Sequence, residues 1–152
     1  MNIEISMADS EGLIREVISG GGEFTLFPKG TSMLPFIRQG RDSVILTNPP
    51  KDIRVGDIPL YKRDDGHYVL HRIIKKEKGG TYTLCGDNQT FLEKGIRRDQ
   101  IIAVVCAVCR DKKRKSVRSF SVRLYSFFWR SFFIRRVYFK LRKIYAKAKE
   151  NR

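Results

Sequence analysis

The sequence predicts a mainly β domain of the β-rich α+β class, and three observations carry that prediction. Six short apolar or β-branched runs recur between residues 23 and 108. Gly, Pro, Asn and Asp interrupt them every eight to fifteen residues, the spacing of folded-back antiparallel strands rather than of strands alternating with long helices. Helical periodicity is confined to the two ends, a short N-terminal segment and a basic, aromatic C-terminal one. With 152 residues and 41% hydrophobic composition, the chain can bury one core of ordinary size.

Asp9 or Ser10 is placed to cap a helix running to about Ser19, because Leu13, Ile14, Val17 and Ile18 then share one face. Gly20-Gly21-Gly22 ends it. Glu23 to Phe27 alternates as a half-buried strand and delivers the chain to Pro28-Lys29-Gly30. Pro35 and Gly40 frame a further turn before the strand Ser43 to Thr47, which Asn48-Pro49-Pro50 stops. Val55 to Tyr61 reads as a turn into a strand, where Pro59, lacking an N–H, argues for an edge or a bulge. Asp65-Gly66 predicts a hairpin into a strand from His67 to Ile74. Gly79-Gly80 predicts a second hairpin, into Thr81 to Cys85 and the turn Gly86-Asp87-Asn88. Gln100 to Val108 is apolar on both faces and therefore central.

Charge divides the chain. Residues 1–111 hold 16 Lys and Arg against 15 Asp and Glu, whereas residues 112–152 hold 15 against Glu150 alone. The organisation that follows is a helical segment over residues 1–22, a β domain over 23–110 and a basic aromatic tail over 111–152. Within the tail, Asp111 to Lys115 reads as a solvated linker. Val117 to Tyr145 interleaves aromatics with cations, and on one continuous helical wheel Arg123, Arg130, Arg135 and Arg136 scatter, leaving no single apolar face. A segment too charged to span a bilayer and too aromatic for water suits a helix lying among anionic lipid headgroups; nucleic acid is the less favoured partner. The acidic start, Met1 to Asp9, lacks the apolar core of a signal peptide, and no window reaches the length of a spanning helix. The expected location is the membrane surface, on its cytoplasmic face. Three cysteines form no disulfide framework and are read as reduced thiols; Cys106 and Cys109 are expected to be buried rather than to form a zinc or redox site. No metal or cofactor is expected.

The chemistry centres on Gly30-Thr31-Ser32-Met33-Leu34-Pro35. A serine hydroxyl is a poor nucleophile unless a base takes its proton. Of the two histidines, His67 lies in the polar turn Asp64-Asp65-Gly66-His67, and His71 lies in the apolar run Tyr68-Val69-Leu70-His71-Arg72-Ile73, where a strand holds it rigidly. Ser32 and His71 are thus the candidate nucleophile and general base, with the backbone N–H of Ser32 a candidate oxyanion donor. Asp57 is read as a turn former.

Gly30 to Pro35, Gly56-Asp57-Ile58, Tyr68 to Ile73 and Gly86-Asp87-Asn88 follow one another at spacings that resemble the serine peptidases comprising type I signal peptidases and LexA-like repressor peptidases. The resemblance implies a signal-peptidase or LexA-like β fold over roughly residues 25 to 105. It also implies endopeptidase action on a protein or peptide precursor through an acyl-enzyme. Most of that group use a lysine base; His71 followed by Arg72 is similar instead to the endoplasmic-reticulum and archaeal type of signal peptidase, in which an acid supports a Ser-His pair. On that resemblance Asp87 is the acid expected to orient the imidazole, and the spacing also offers Glu93 and Asp99. Gly30 stands where some signal peptidases carry a second hydroxyl donor. The rival expectations are a dedicated maturation or self-processing peptidase on the cytoplasmic face, and a non-catalytic β module whose tail binds lipid or nucleic acid.

Overall fold

The structure, a computed structural model, describes residues 7–150. The reading of Met1 to Ser6 lies outside the described residues. Helix α1 (Met7–Ser19) is already formed at its first described residue, so Ser10 sits inside the helix rather than capping it. The glycines end it: Gly22 N–H reaches Val17 O at 3.0 Å, and Gly21 takes φ +80°, a conformation that costs glycine little.

Among the described residues, nine strands form two antiparallel sheets: β1 (Phe24–Leu26), β2 (Asp42–Thr47), β3 (Pro59–Lys62), β4 (Tyr68–Leu70), β5 (Arg72–Lys76), β6 (Tyr82–Cys85), β7 (Glu93–Ile96), β8 (Ile101–Arg110) and β9 (Lys113–Ser116). The larger sheet runs β1-β2-β8-β3-β4, with β9 also on β8; the smaller runs β5-β6-β7. The central position of β8 follows from its composition, since a strand apolar on both faces must be covered on both. Ile102, Val105 and Val108 join α1 Ile14 and Ile18 in one core cluster, while Ile101 and Val104 join Ile73, Tyr82 and Leu84 of the smaller sheet in the other.

One expectation is met in one of its two forms, and three change. Pro59 opens β3, and a bulge follows between Leu60 and Tyr61, but β3 lies between β8 and β4 and is not an edge. The single strand expected from His67 to Ile74 is two, β4 in the larger sheet and β5 in the smaller, broken at His71. The supposed linker after Arg110 is a tight hairpin: Asp111 and Lys112 both take positive φ, and Arg110 faces Lys113 at the head of β9. The C-terminal segment is two helices, α2 (Phe120–Trp129) and α3 (Phe132–Glu150), interrupted at Arg130-Ser131. Among the described residues no helix is long and apolar enough to cross a membrane.

Candidate active site

Ser32 sits in the tight turn after β1. Its neighbours Met33 and Ile37 are buried in the first core cluster, joined by an Ile37 N–H to Met33 O bond of 2.9 Å, so the turn is pinned from below while Ser32 stays half-buried at the surface. Gly30, at φ +92°, bends the chain into the turn and donates its N–H to Gln39 Oε1 at 2.6 Å. Ser32 and His71 line the same cleft, about 260 Å³ in volume, with Pro28, Tyr68, Leu70 and Gln89 among its walls.

His71 occupies the point where the chain leaves one sheet for the other, so β4 and β5 fix its backbone from opposite sides, and its side chain is buried. Its Nδ1 lies 3.0 Å from Glu93 Oε1 and 3.3 Å from the Tyr61 hydroxyl. Glu93 in turn is clamped by Arg63, whose Nε donates to Oε2 at 2.8 Å and whose Nη2 pairs with Oε1. A carboxylate at Nδ1 places the ring proton there and leaves the Nε2 lone pair free to accept a proton.

Nε2 faces Gly86. A methyl group at Gly86 would lie 2.7 Å from Ser32 O, 2.9 Å from Gln89 Oε1 and 3.0 Å from His71 Nε2, so Ser32 and the imidazole converge on this glycine from two sides. Asn88 N–H also donates to Ser32 O at 2.7 Å, tying the Gly86-Asp87-Asn88 turn to the Ser32 turn. Gly86→Ala is therefore expected to cost about 1–3 kcal/mol of folding stability through overpacking, and to displace either the Ser32 backbone or the imidazole. Chemical denaturation together with the His71 NMR signals checks both.

Electrostatics suit a base. Burial lowers the His71 pKa; the Glu93 carboxylate opposes that shift without cancelling it, and Arg63 adds to it. Burial also works against ionisation of Glu93, but Arg63, Tyr61 and His71 outweigh it and hold the carboxyl below its usual range. Burial and the Glu93 charge push Tyr61 well above an ordinary phenol. The imidazole is thus neutral at pH 7 beside an ionised carboxylate.

Asp87 does not touch the imidazole, which corrects the expectation that it orients His71. Its carboxylate takes a bidentate pair from Arg72, Nε to Oδ1 at 2.9 Å and Nη2 to Oδ2 at 2.7 Å, and the Tyr125 hydroxyl approaches Oδ2 at 3.3 Å. The alternation of the β4–β5 strand region accounts for this, because Arg72 must point away from its neighbour His71. Asp99 is exposed and pairs with Arg97 at 3.3 Å. Asp57 holds a turn, its carboxylate accepting Arg54 N–H at 2.8 Å. His67 is exposed beside Asp65. Cys106 and Cys109 are half-buried rather than buried, and all three cysteines are unbonded. Among the described residues no group of His, Cys, Asp and Glu is arranged to hold a metal ion.

Sequence reasoning missed Arg63 and Tyr61, which hold Glu93, and the whole layer behind Asp87. There Trp129 Nε1 donates to Asp87 O at 2.8 Å, and Arg72 Nη1 donates to Ser126 Oγ at 2.6 Å. Arg135, fully buried, donates through Nη1 to Gly86 O at 2.8 Å and Gln89 O at 3.0 Å, and through Nε to Trp129 O at 2.6 Å. The basic aromatic tail thus forms the back wall of the site turn.

Comparison with known proteins gives one finding. No curated protein and no solved structure matches the chain. The model of the family described as Peptidase S24-like matches residues 5–109, a span that contains Ser32, His71, Asp87 and Glu93 and ends within β8. Two antiparallel sheets with a short N-terminal helix fit that family's β-rich fold, and with more than half of its length matched the chain belongs to the Peptidase S24-like family, within the serine peptidases of the LexA and signal-peptidase type.

Proposed function

We propose that the protein is a serine endopeptidase that processes a protein or peptide precursor in the manner of a signal peptidase, with Ser32 as nucleophile, His71 as general base and Glu93 as the acid that orients it. The carrying observation is the meeting of His71 Nε2 and the Ser32 turn at Gly86, with Nδ1 held by Glu93. Ser32 Oγ adds to the scissile carbonyl carbon as its proton passes to Nε2. The tetrahedral adduct collapses to an acyl-enzyme and expels the amine, which takes that proton. Water, deprotonated by the same nitrogen, then releases the acid and restores Ser32. The Ser32 N–H is the candidate donor to the oxyanion. An extended substrate fits beside β4, because that strand is a sheet edge and its residues Tyr68 to Leu70 wall the cleft.

Diisopropyl fluorophosphate is small and reports an activated serine directly. The expected result is a single adduct by intact mass that maps to Ser32. Its formation rate is full at pH 7 and falls as the pH drops through a midpoint below 6.5, because the folded His71 pKa lies below the ordinary histidine value. Folding stability weakens with the same sign in that window, as the unfolded chain takes up its proton first. An unlabelled protein, or an adduct elsewhere, would leave the non-catalytic β module as the better reading. A midpoint at or above 6.5 would contradict the buried base.

A further inference from the structure

The break at Arg130-Ser131 resets the helical phase, and α3 taken alone has the single apolar face that the continuous segment lacks. Its inner face is fixed to the domain through buried Arg135, through Tyr138 packed edge-on against Trp129 at 5.0 Å, and through Arg142, which donates to Asn88 Oδ1 at 3.1 Å. Pointing the other way, Phe133, Val137, Leu141, Ile144 and Tyr145 are 44–76% exposed. At 100° per residue these five fall within one third of the helix circumference. Arg136, Lys140, Lys143 and Lys147 border the stripe on one side, and Lys149 lies beyond it on the other. The α2 helix repeats the motif with exposed Phe120, Leu124, Phe127 and Phe128.

We propose that α3 docks the protein onto an anionic lipid bilayer, the Phe133 to Tyr145 stripe entering the boundary between headgroups and acyl chains while the flanking cations meet lipid phosphates. A nucleic-acid backbone would satisfy the cations but leave five large apolar side chains in water. A second copy would bring together two segments that each carry 15 cations against one Glu over residues 112–152. A lipid interface accommodates both the stripe and its borders. The negative surface potential of the cytoplasmic leaflet makes that the favoured face. Because Arg135 and Arg142 join α3 to the turn from Gly86 to Gln89, docking would also hold the Ser32 cleft close to the bilayer. If the peptidase reading holds, the substrates are peptide segments presented at a membrane surface.

Co-sedimentation of the full chain with vesicles tests the docking without reference to Ser32. Binding to vesicles of phosphatidylcholine mixed with phosphatidylglycerol is expected to exceed binding to phosphatidylcholine alone by roughly 10²-fold or more, since each cation near the surface contributes about fivefold. Leu141→Ser/Ile144→Ser, at exposed positions that leave folding intact, is expected to weaken binding by on the order of 10²-fold. Lys140→Glu/Lys143→Glu/Lys147→Glu is expected to abolish the preference for anionic lipid. Three results would overturn the proposal: a stripe variant that binds as tightly as wild type, a wild type that ignores vesicles yet binds RNA or duplex DNA, or a wild-type dimer that the stripe substitutions dissociate.

Discussion

Glu93→Gln is expected to slow phosphonylation of Ser32 by on the order of 10³- to 10⁴-fold, and His71→Ala by about 10⁴- to 10⁶-fold. The first substitution keeps shape and volume, so its effect reports the lost carboxylate charge, which serves both His71 and Arg63. Glu93 accepts from Nδ1 at 3.0 Å and so favours the tautomer whose Nε2 is bare. A glutamine can instead turn its NH₂ toward Nδ1, which moves the ring proton to Nε2, where no proton can be taken from Ser32. It also withdraws the charge that stabilises the imidazolium as it forms. A second readout separates this from mere structural support. Glu93 raises the His71 pKa against the lowering effect of burial, so its neutralisation is expected to move the acid limb of the rate profile to lower pH. Glu93→Asp is expected to retain part of the rate, since a carboxylate remains. A Glu93→Gln enzyme within a few-fold of wild type, with an unmoved limb, would show that the acid lies elsewhere.

Most of the sheet was legible because the signals were local. Alternation marked β1, an apolar run stopped by Asn48-Pro49-Pro50 marked β2, and the Asp65-Gly66 and Gly79-Gly80 pairs marked their hairpins. β8 declared its central place by being apolar on both faces. The misses have two causes, dependence on a distant partner and a turn without its usual residues. Glu93-Lys94-Gly95-Ile96 has one apolar residue and a glycine, so nothing in its composition marks a strand; pairing of Leu84 with Glu93 and of Tyr82 with Ile96 makes it β7. Asp111-Lys112 lacks the Asn-Gly or Asp-Gly signature of its turn type, and the hairpin it closes was hidden. Ser32 and His71 were singled out through residue type and context, and the structure sets them on one cleft. The carboxylate beside Nδ1 was legible only as one of a short set of candidates, because which carboxylate reaches that nitrogen depends on where β7 and the Gly86 turn lie. On the continuous wheel Arg135 was one of four scattered arginines, and only the folded chain shows three backbone carbonyls accepting from it.

Arg72→Ala is expected to destabilise the fold by about 3–5 kcal/mol, the usual cost of leaving a buried charge without its partner. Asp87 and Arg72 are both fully buried, and burial opposes the Arg72 charge while the Asp87 carboxylate restores it, so neither group tolerates loss of the other. Arg72→Met combined with Asp87→Leu removes both charges at similar volume. It is expected to be less damaging than Arg72→Ala alone, and a double-mutant cycle read by urea denaturation measures the difference. The cycle also bears on function, because Asp87 lies between Gly86, which meets His71 Nε2, and Asn88, which holds Ser32 O. Trp129→Phe removes the bond to Asp87 O together with part of the buried ring packed on Tyr125 and Tyr138, and is expected to cost at least about 1–3 kcal/mol, the cost of the buried carbonyl left unsatisfied, plus that of the lost packing. Both changes are expected to slow Ser32 labelling in proportion to the disorder they allow in the turn, although neither residue touches the cleft. Residues 111–150 lie outside the span matched by the family, yet Tyr125, Ser126, Trp129 and Arg135 close over the Arg72–Asp87 pair. Truncation after Arg110 would open that pair to water and release the back of the turn, so loss of the helices is expected to lower stability and labelling together. A truncated chain as stable and as readily labelled as the full one would show that the turn stands without them.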